Sequence, residues 1–134
     1  MAVDIFEKYG TDEKKEVAGV EVDCGDGLKL VIARHGNSEY DMLLLEELEA
    51  NQQALETAEP KVREKLAQAM DLRILSKTIL KGWSGMKYKG KVLPYNLENA
   101  EMVLAHRDFR KLVLKHATNM ANYMARAEAA DEKN

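Results

Sequence analysis

Cysteine is nearly absent: Cys24 is the one thiol in 134 residues. A single cysteine excludes an internal disulfide framework and fits a reducing compartment. It falls on the apolar phase of an alternating stretch, where buried packing is the expected role, and nothing guarantees the cationic neighbourhood that a reactive thiol needs. Basic excess is missing as well. The formal net charge is −3, and the lysines of residues 81–91 are interspersed with Gly and Tyr, so no dense basic face is offered to nucleic acid. No window reaches the ~18 apolar residues of a membrane span. The opening Met-Ala-Val-Asp-Ile-Phe-Glu-Lys lacks the basic n-region and long apolar run of a signal peptide, so a cytoplasmic location is expected. There is no internal repeat and no low-complexity block. The three histidines and lone cysteine have no metal-ligand spacing, and neither a Walker A loop nor a dinucleotide-binding fingerprint occurs. No metal, cofactor, membrane or nucleic-acid partner is expected.

What is present is an ordinary soluble composition, 46% apolar and 32% charged, in a chain long enough for one domain with a real core. Residues 17–40 organise it. Val20, Val22 and Cys24 alternate with Glu21 and Asp23, the period-2 signal of a half-buried strand. Gly25-Asp26-Gly27 supplies a tight turn, and Leu28, Leu30 and Ile32 resume the alternation. A β-hairpin follows from this pattern. Before it lies an arm, residues 1–16, with Ile5, Phe6 and Tyr9 on one short amphipathic piece and a charged run after it.

The rest reads as helix. Gly36 breaks the strand, and Asn37 or Ser38 caps a helix through Tyr40, Leu43, Leu44, Leu45 and Leu48. Pro60 restarts a long helix at its first turn, with Val62, Leu66, Ala69, Met70 and Ile74 on a stripe that Leu72, Leu75, Ile79 and Leu80 broaden; Gly82 is placed to cap its end. An aromatic loop follows over residues 83–95, where Lys89-Gly90-Lys91 is a turn between two very short strands. Asn96 caps a short helix, and Asp108 caps the last one, whose stripe is Phe109, Leu112, Val113, His116, Ala117, Met120, Tyr123 and Met124. The expected fold is α+β, mostly α: an N-terminal β-hairpin packed on a bundle of about four helices. It forms a single domain over 1–134, divided into an arm (1–16), hairpin (17–36), helical body (37–124) and flexible tail (125–134).

Two motifs invite an enzyme. Arg34-His35-Gly36-Asn37-Ser38 at a strand end resembles the Arg-His-Gly motif of histidine phosphatases, in which the His is phosphorylated and a second His assists. That family needs further βαβ units, and the second His here would have to be His106 or His116. His106-Arg107-Asp108 echoes the kinase catalytic-loop triplet, but Val113 stands where the metal-binding Asn belongs. The plainer reading makes Arg34 and His35 strand-end residues and Gly36 the turn into a helix. No catalytic residue is assigned.

The order of features resembles the small tail assembly chaperones of long-tailed bacteriophages. The residues that carry it are Phe6-Glu7-Lys8-Tyr9-Gly10-Thr11-Asp12, Gly19-Val20-Glu21-Val22-Asp23, and Ile32-Ala33-Arg34-His35-Gly36-Asn37 ahead of Tyr40. They continue with Gly82-Trp83, Gly90-Lys91, Leu93-Pro94-Tyr95-Asn96, Glu98-Asn99-Ala100 and Phe109. The resemblance implies a non-enzymatic protein that holds the tape measure protein soluble and helps tail-tube subunits polymerise around it. It implies a place in the host cytoplasm and absence from the mature virion. Such proteins are commonly made in two lengths by frameshifting, and this chain would match the shorter form or the shared N-terminal part. Self-association into a homo-oligomer is expected. Candidate partner-binding residues are the loop aromatics Trp83, Tyr88 and Tyr95 with Phe109, and the last-helix side chains Met120, Tyr123 and Met124, chosen because aromatic anchors and adaptable methionines suit a binding face. The alternatives are a histidine phosphatase-like enzyme using His35 and a minor structural or adaptor subunit of the tail.

Overall fold

The alternation at residues 20–32 does build the expected hairpin: β1 (Val20–Asp23) pairs antiparallel with β2 (Lys29–Ile32), Val22 opposite Leu30. The computed structural model describes residues 1–125, so the tail expected over 125–134 lies, save for Ala125, outside the described residues. Two short helices precede the hairpin, α1 (Ile5–Tyr9) and α2 (Glu13–Ala18). Each is started by an aspartate accepting from backbone N–H groups, Asp4 from Phe6 and Glu7, Asp12 from Lys14. That is the ordinary N-cap chemistry that satisfies otherwise orphaned donors. The aromatic residues of α1 do not pin it down; Phe6 and Tyr9 are exposed.

After the hairpin come α3 (Ser38–Ala50), α4 (Gln52–Thr57) and α5 (Pro60–Thr78), then β3 (Leu80–Ser84). A two-stranded ribbon, β4 (Lys87–Tyr88) and β5 (Lys91–Val92), turns through Lys89 and Gly90, and is followed by α6 (Leu97–Leu104), α7 (Arg107–Ala117) and a 3₁₀ turn (Met120–Tyr123).

This corrects the expected fold in three ways. The hairpin is not N-terminal, because α1 and α2 come first. The described residues hold seven α-helices rather than about four. The hairpin is also not left as a two-stranded unit: β3 adds to the free edge of β2, giving a three-stranded antiparallel sheet in the order β1-β2-β3. Gly82 therefore lies in a strand opposite Val31 and does not cap α5, which ends at Thr78. The breadth of the apolar stripe beyond Ile74 has its cause here, since Ile79 and Leu80 belong to the helix-to-strand passage and are fully buried. The last helix is shorter than its stripe suggested. It stops at Ala117, where the Thr118 hydroxyl donates back to the Leu114 carbonyl (2.7 Å), and Asn119 caps the 3₁₀ turn. Asp108 lies inside the first turn of α7, whose N-cap position is His106.

One core joins these pieces. Leu30 and Ile32 of β2 meet Leu75 and Ile79 of α5 and its end, Leu80 of β3, Val103 and Leu104 of α6, and Val113 and Ala117 of α7. The edges are tied by specific bonds. Asn37 is buried, accepts from the Tyr40 N–H as cap of α3, and donates to the carbonyls of Arg34 (2.8 Å) and Thr78 (3.2 Å). A clasp closes the chain: Thr11 bridges Met124, the Asp12 N–H donates to the Tyr123 carbonyl, and the Ala125 N–H donates to the Gly10 carbonyl. Tyr123 is fully buried beside it, its hydroxyl donating to the Ile32 carbonyl (3.0 Å) across 91 residues of sequence.

Candidate functional site

Residues 33–35, the tempting Arg-His-Gly approach, form a junction. The Ala33 N–H donates to the Ile79 carbonyl (2.8 Å), the Arg34 N–H to Glu16 (2.8 Å) and the His35 N–H to Ala117 (3.0 Å). Three successive backbone donors thus anchor the passage from α5, helix α2 and the end of α7. The Arg34 guanidinium is spent on Glu16 at 2.6 Å, and the same carboxylate accepts from the Thr11 hydroxyl at 2.6 Å. The His35 ring packs on Tyr40 with centroids 4.6 Å apart. The His106 ring is instead bound to the Tyr88 hydroxyl at 2.9 Å. Each of these two imidazoles has its own aromatic neighbour. Among the described residues there is no group of three or more His, Cys, Asp or Glu side chains able to hold a metal ion.

The titrations around this junction make a stability prediction. The Thr11 hydroxyl first, and then Arg34, hold the Glu16 carboxyl below its ordinary 4.5. The Arg73 hydrogen bond does the same for Glu47. Burial, helped by Lys115, lowers the His116 imidazole below 6.5. A carboxylate with a lowered folded value stabilises the fold above its unfolded value, and that contribution is lost as pH falls through the folded one. A histidine lowered by folding is protonated first in the unfolded chain, so stability falls as pH drops below its unfolded value. The denaturant midpoint is expected to fall from about pH 7 to about pH 5 and again below the carboxylate range. His116→Gln should flatten the first step and Glu16→Gln reduce the second. A wild-type midpoint constant from about pH 7 to about pH 5 would contradict the burial of His116.

The aromatic residues singled out from sequence are mostly spent on packing. Trp83 lies on β3, donates its indole N–H to the Leu93 carbonyl (2.8 Å) and meets Tyr95 edge-to-face with centroids 4.9 Å apart. The Tyr95 hydroxyl donates to Leu80 (2.7 Å), so the pair brackets β3 to the segment leading into α6. Tyr88 and Phe109 come together in another way, lining a mostly apolar cavity of about 260 Å³ with Leu28, Met86, Val103 and His106. Tyr123 and Met124 belong to the clasp and Met120 opens the 3₁₀ turn before it, with both methionines half-buried.

Exposed apolar side chains lie on α1, where Ile5, Phe6 and Tyr9 face solvent, and on α3. On α3 the side chains of Tyr40, Leu43, Leu44 and Glu47 are partly buried, and Glu47 takes Arg73 of α5 through Nε (2.8 Å) and Nη2 (3.3 Å). The opposite face leaves Met42 67%, Leu45 60% and Leu48 43% exposed. Leu45 and Leu48 thus lie on the helix expected from the sequence but on its uncovered side. The signal that separates them is the contiguous Met42-Leu43-Leu44-Leu45, since four consecutive residues run right round a helix and cannot all face one core.

No helix among the described residues is long and apolar enough to cross a membrane. No curated protein and no solved structure matches the chain. A family model does match: that of the YdaY prophage protein, over residues 36–134. The matched stretch begins at the turn into α3 and takes in everything after the hairpin. The chain belongs to the YdaY prophage protein family.

Proposed function

We propose that this phage-derived chain is a tail assembly chaperone. In this reading it acts by binding rather than catalysis, holding the tape measure protein soluble and assisting tail-tube assembly in the host cytoplasm. It works as a homo-oligomer and leaves before the virion matures. The observation that carries the reading is an apolar helix face left open to solvent, Met42, Leu45 and Leu48, on a member of a prophage family. Apolar faces of that kind mark sites where another protein docks. The order of motifs along the chain adds to it, as does the engagement of Arg34 by Glu16, which removes the cation a phosphohistidine site would need beside His35.

Co-expression with the tape measure protein of the same prophage is the test. The chain is expected to move most of the tape measure from the pellet to the soluble fraction and to co-purify with it. A tape measure that stays insoluble counts against the reading, and recovery of the chain from purified mature particles favours a structural subunit of the tail instead.

A further inference from the structure

We propose that the outer face of α3 docks an amphipathic helix whose apolar stripe is flanked by lysine or arginine. The proposal rests on the reading of the chain as a binding protein, and not on which protein it binds.

Met42, Leu45 and Leu48 are each three residues apart, so they stay within about a third of the helix circumference. Their exposure puts that arc opposite the half-buried Tyr40, Leu43, Leu44 and Glu47. Beyond Leu48 the surface continues as a shallow groove of about 290 Å³ that reaches Leu55 of α4. A helix offering apolar side chains at this spacing accepts the ridges of a second helix.

Charge then selects the occupant. Residues 35–60 contain seven carboxylates and no lysine or arginine. Glu39 and Glu47 are engaged by Lys81 (3.1 Å) and Arg73 (2.8 Å). Asp41, Glu46 and Glu49, which lie in or beside the exposed arc, make no ion pair among the described residues. An apolar stripe edged by unpaired carboxylates is complementary to one edged by ammonium or guanidinium groups, and it repels an acidic surface. A second copy of α3 laid on the first would set carboxylates against carboxylates in a two-fold interface. An anionic membrane is disfavoured on the same ground.

The probe is a fluorescent synthetic helix of about 18 residues, five turns, with a leucine stripe and lysine flanks. Two controls accompany it: a scramble of the same composition, and a version with glutamate for every lysine. Wild-type protein is expected to bind the striped lysine peptide at least ~10-fold more tightly than either control, with affinity falling as salt rises. Met42→Gln/Leu45→Gln/Leu48→Gln should lose ~10-fold or more with an unchanged melting temperature, because the three side chains are exposed. Glu46→Lys/Glu49→Lys provides a second, charge-only variant with the same direction of effect. Equal affinity of the triple variant, equal affinity for the scramble or the glutamate peptide, or a wild-type dimer that the triple variant makes monomeric would each overturn the proposal. Co-expression separates it from the chaperone reading. A wild-type chain that solubilises the tape measure but does not prefer the striped lysine peptide to the two controls sinks this face and leaves that reading standing. Peptide binding by a wild-type chain that fails to solubilise the tape measure supports this face and sinks that reading.

Discussion

Replacing Tyr123 by alanine is expected to cost about 4 kcal/mol of folding stability and to lower the melting temperature by roughly 15 °C. The size follows from position. Among the described residues Tyr123 is the bulkiest fully buried side chain, and the cavity left by an aromatic ring in a packed interior collapses only in part. The hydroxyl contributes separately. It donates to the Ile32 carbonyl of the central strand, and Tyr123→Phe, which keeps the ring, should lose only about 1 kcal/mol. Burial also pushes the Tyr123 phenol up to about 12. Its neutral form is favoured by folding, so the stabilisation is present below the unfolded value and is lost as pH rises from there through the folded value. Wild-type protein should therefore lose stability above about pH 10, and Tyr123→Phe should lose less over the same window. Burial raises Tyr40 and Tyr95 in the same direction, so the alkaline loss shrinks in the variant without vanishing. Thermal melts and alkaline denaturant titrations read both effects. Tyr9→Ala, at an exposed aromatic, should stay within about 0.5 kcal/mol of wild type. A Tyr123→Ala variant that melts with the wild type would mean that the Tyr123 ring is not buried against the central strand.

Gly85→Ala is the second large effect, expected at roughly 3 kcal/mol or more. Gly85 joins β3 to β4 with φ +73°, a torsion that L side chains resist. The greater obstacle is space. A Cβ there would collide with the Gly27 carbonyl oxygen and lie 2.9 Å from the Gly27 carbonyl carbon. Both are backbone atoms of the β1–β2 turn, and no side chain can swing aside to make room. The two turns must move apart, which pulls on the pairing of Lys29 with Ser84. Gly90→Ala separates torsion from collision. Gly90 has φ +84° but nothing within 4 Å of its would-be Cβ, so the change should cost about 1 kcal/mol. Equal denaturant midpoints for the two variants would refute the close approach of the turns.

Local signals were legible in the sequence where one residue type does one job. Asn37, Pro60 and Asn96 mark helix starts, and α3, α5 and α6 begin beside them. The alternation of Val20, Val22, Leu30 and Ile32 marks the hairpin. Asp4 and Asp12 carried the same kind of cap signal for α1 and α2, obscured by the surrounding charge. What could not be read is what depends on partners far along the chain. Leu80-Lys81-Gly82-Trp83 is a strand because β2, some fifty residues earlier, offers it an open edge, and no periodicity within four residues announces that. The candidate site shows the same division. Trp83 and Tyr95 have the chemistry of binding anchors, but an indole N–H and a phenol that find carbonyls inside the chain serve its own packing. Leu45 and Leu48 look like core in a helical stripe, and only the placement of α3 along α5 decides which side of the helix is covered.

The clasp between residues 10–12 and 123–125 also bears on how the protein is made. During synthesis the α1–α2 arm and the hairpin emerge early, and β3 can join the sheet once α5 has followed it. The partners of residues 10–12 are close to the last of the described residues to be made. Closing a loop of that length has an entropic cost that local contacts do not offset. Until translation passes residue 125, then, the nascent chain holds a sheet whose central strand lacks the Tyr123 hydroxyl at the Ile32 carbonyl. Until then residues 10–12 lack the partners that close the clasp, and only Glu16, through Arg34, ties the N-terminal arm to the hairpin.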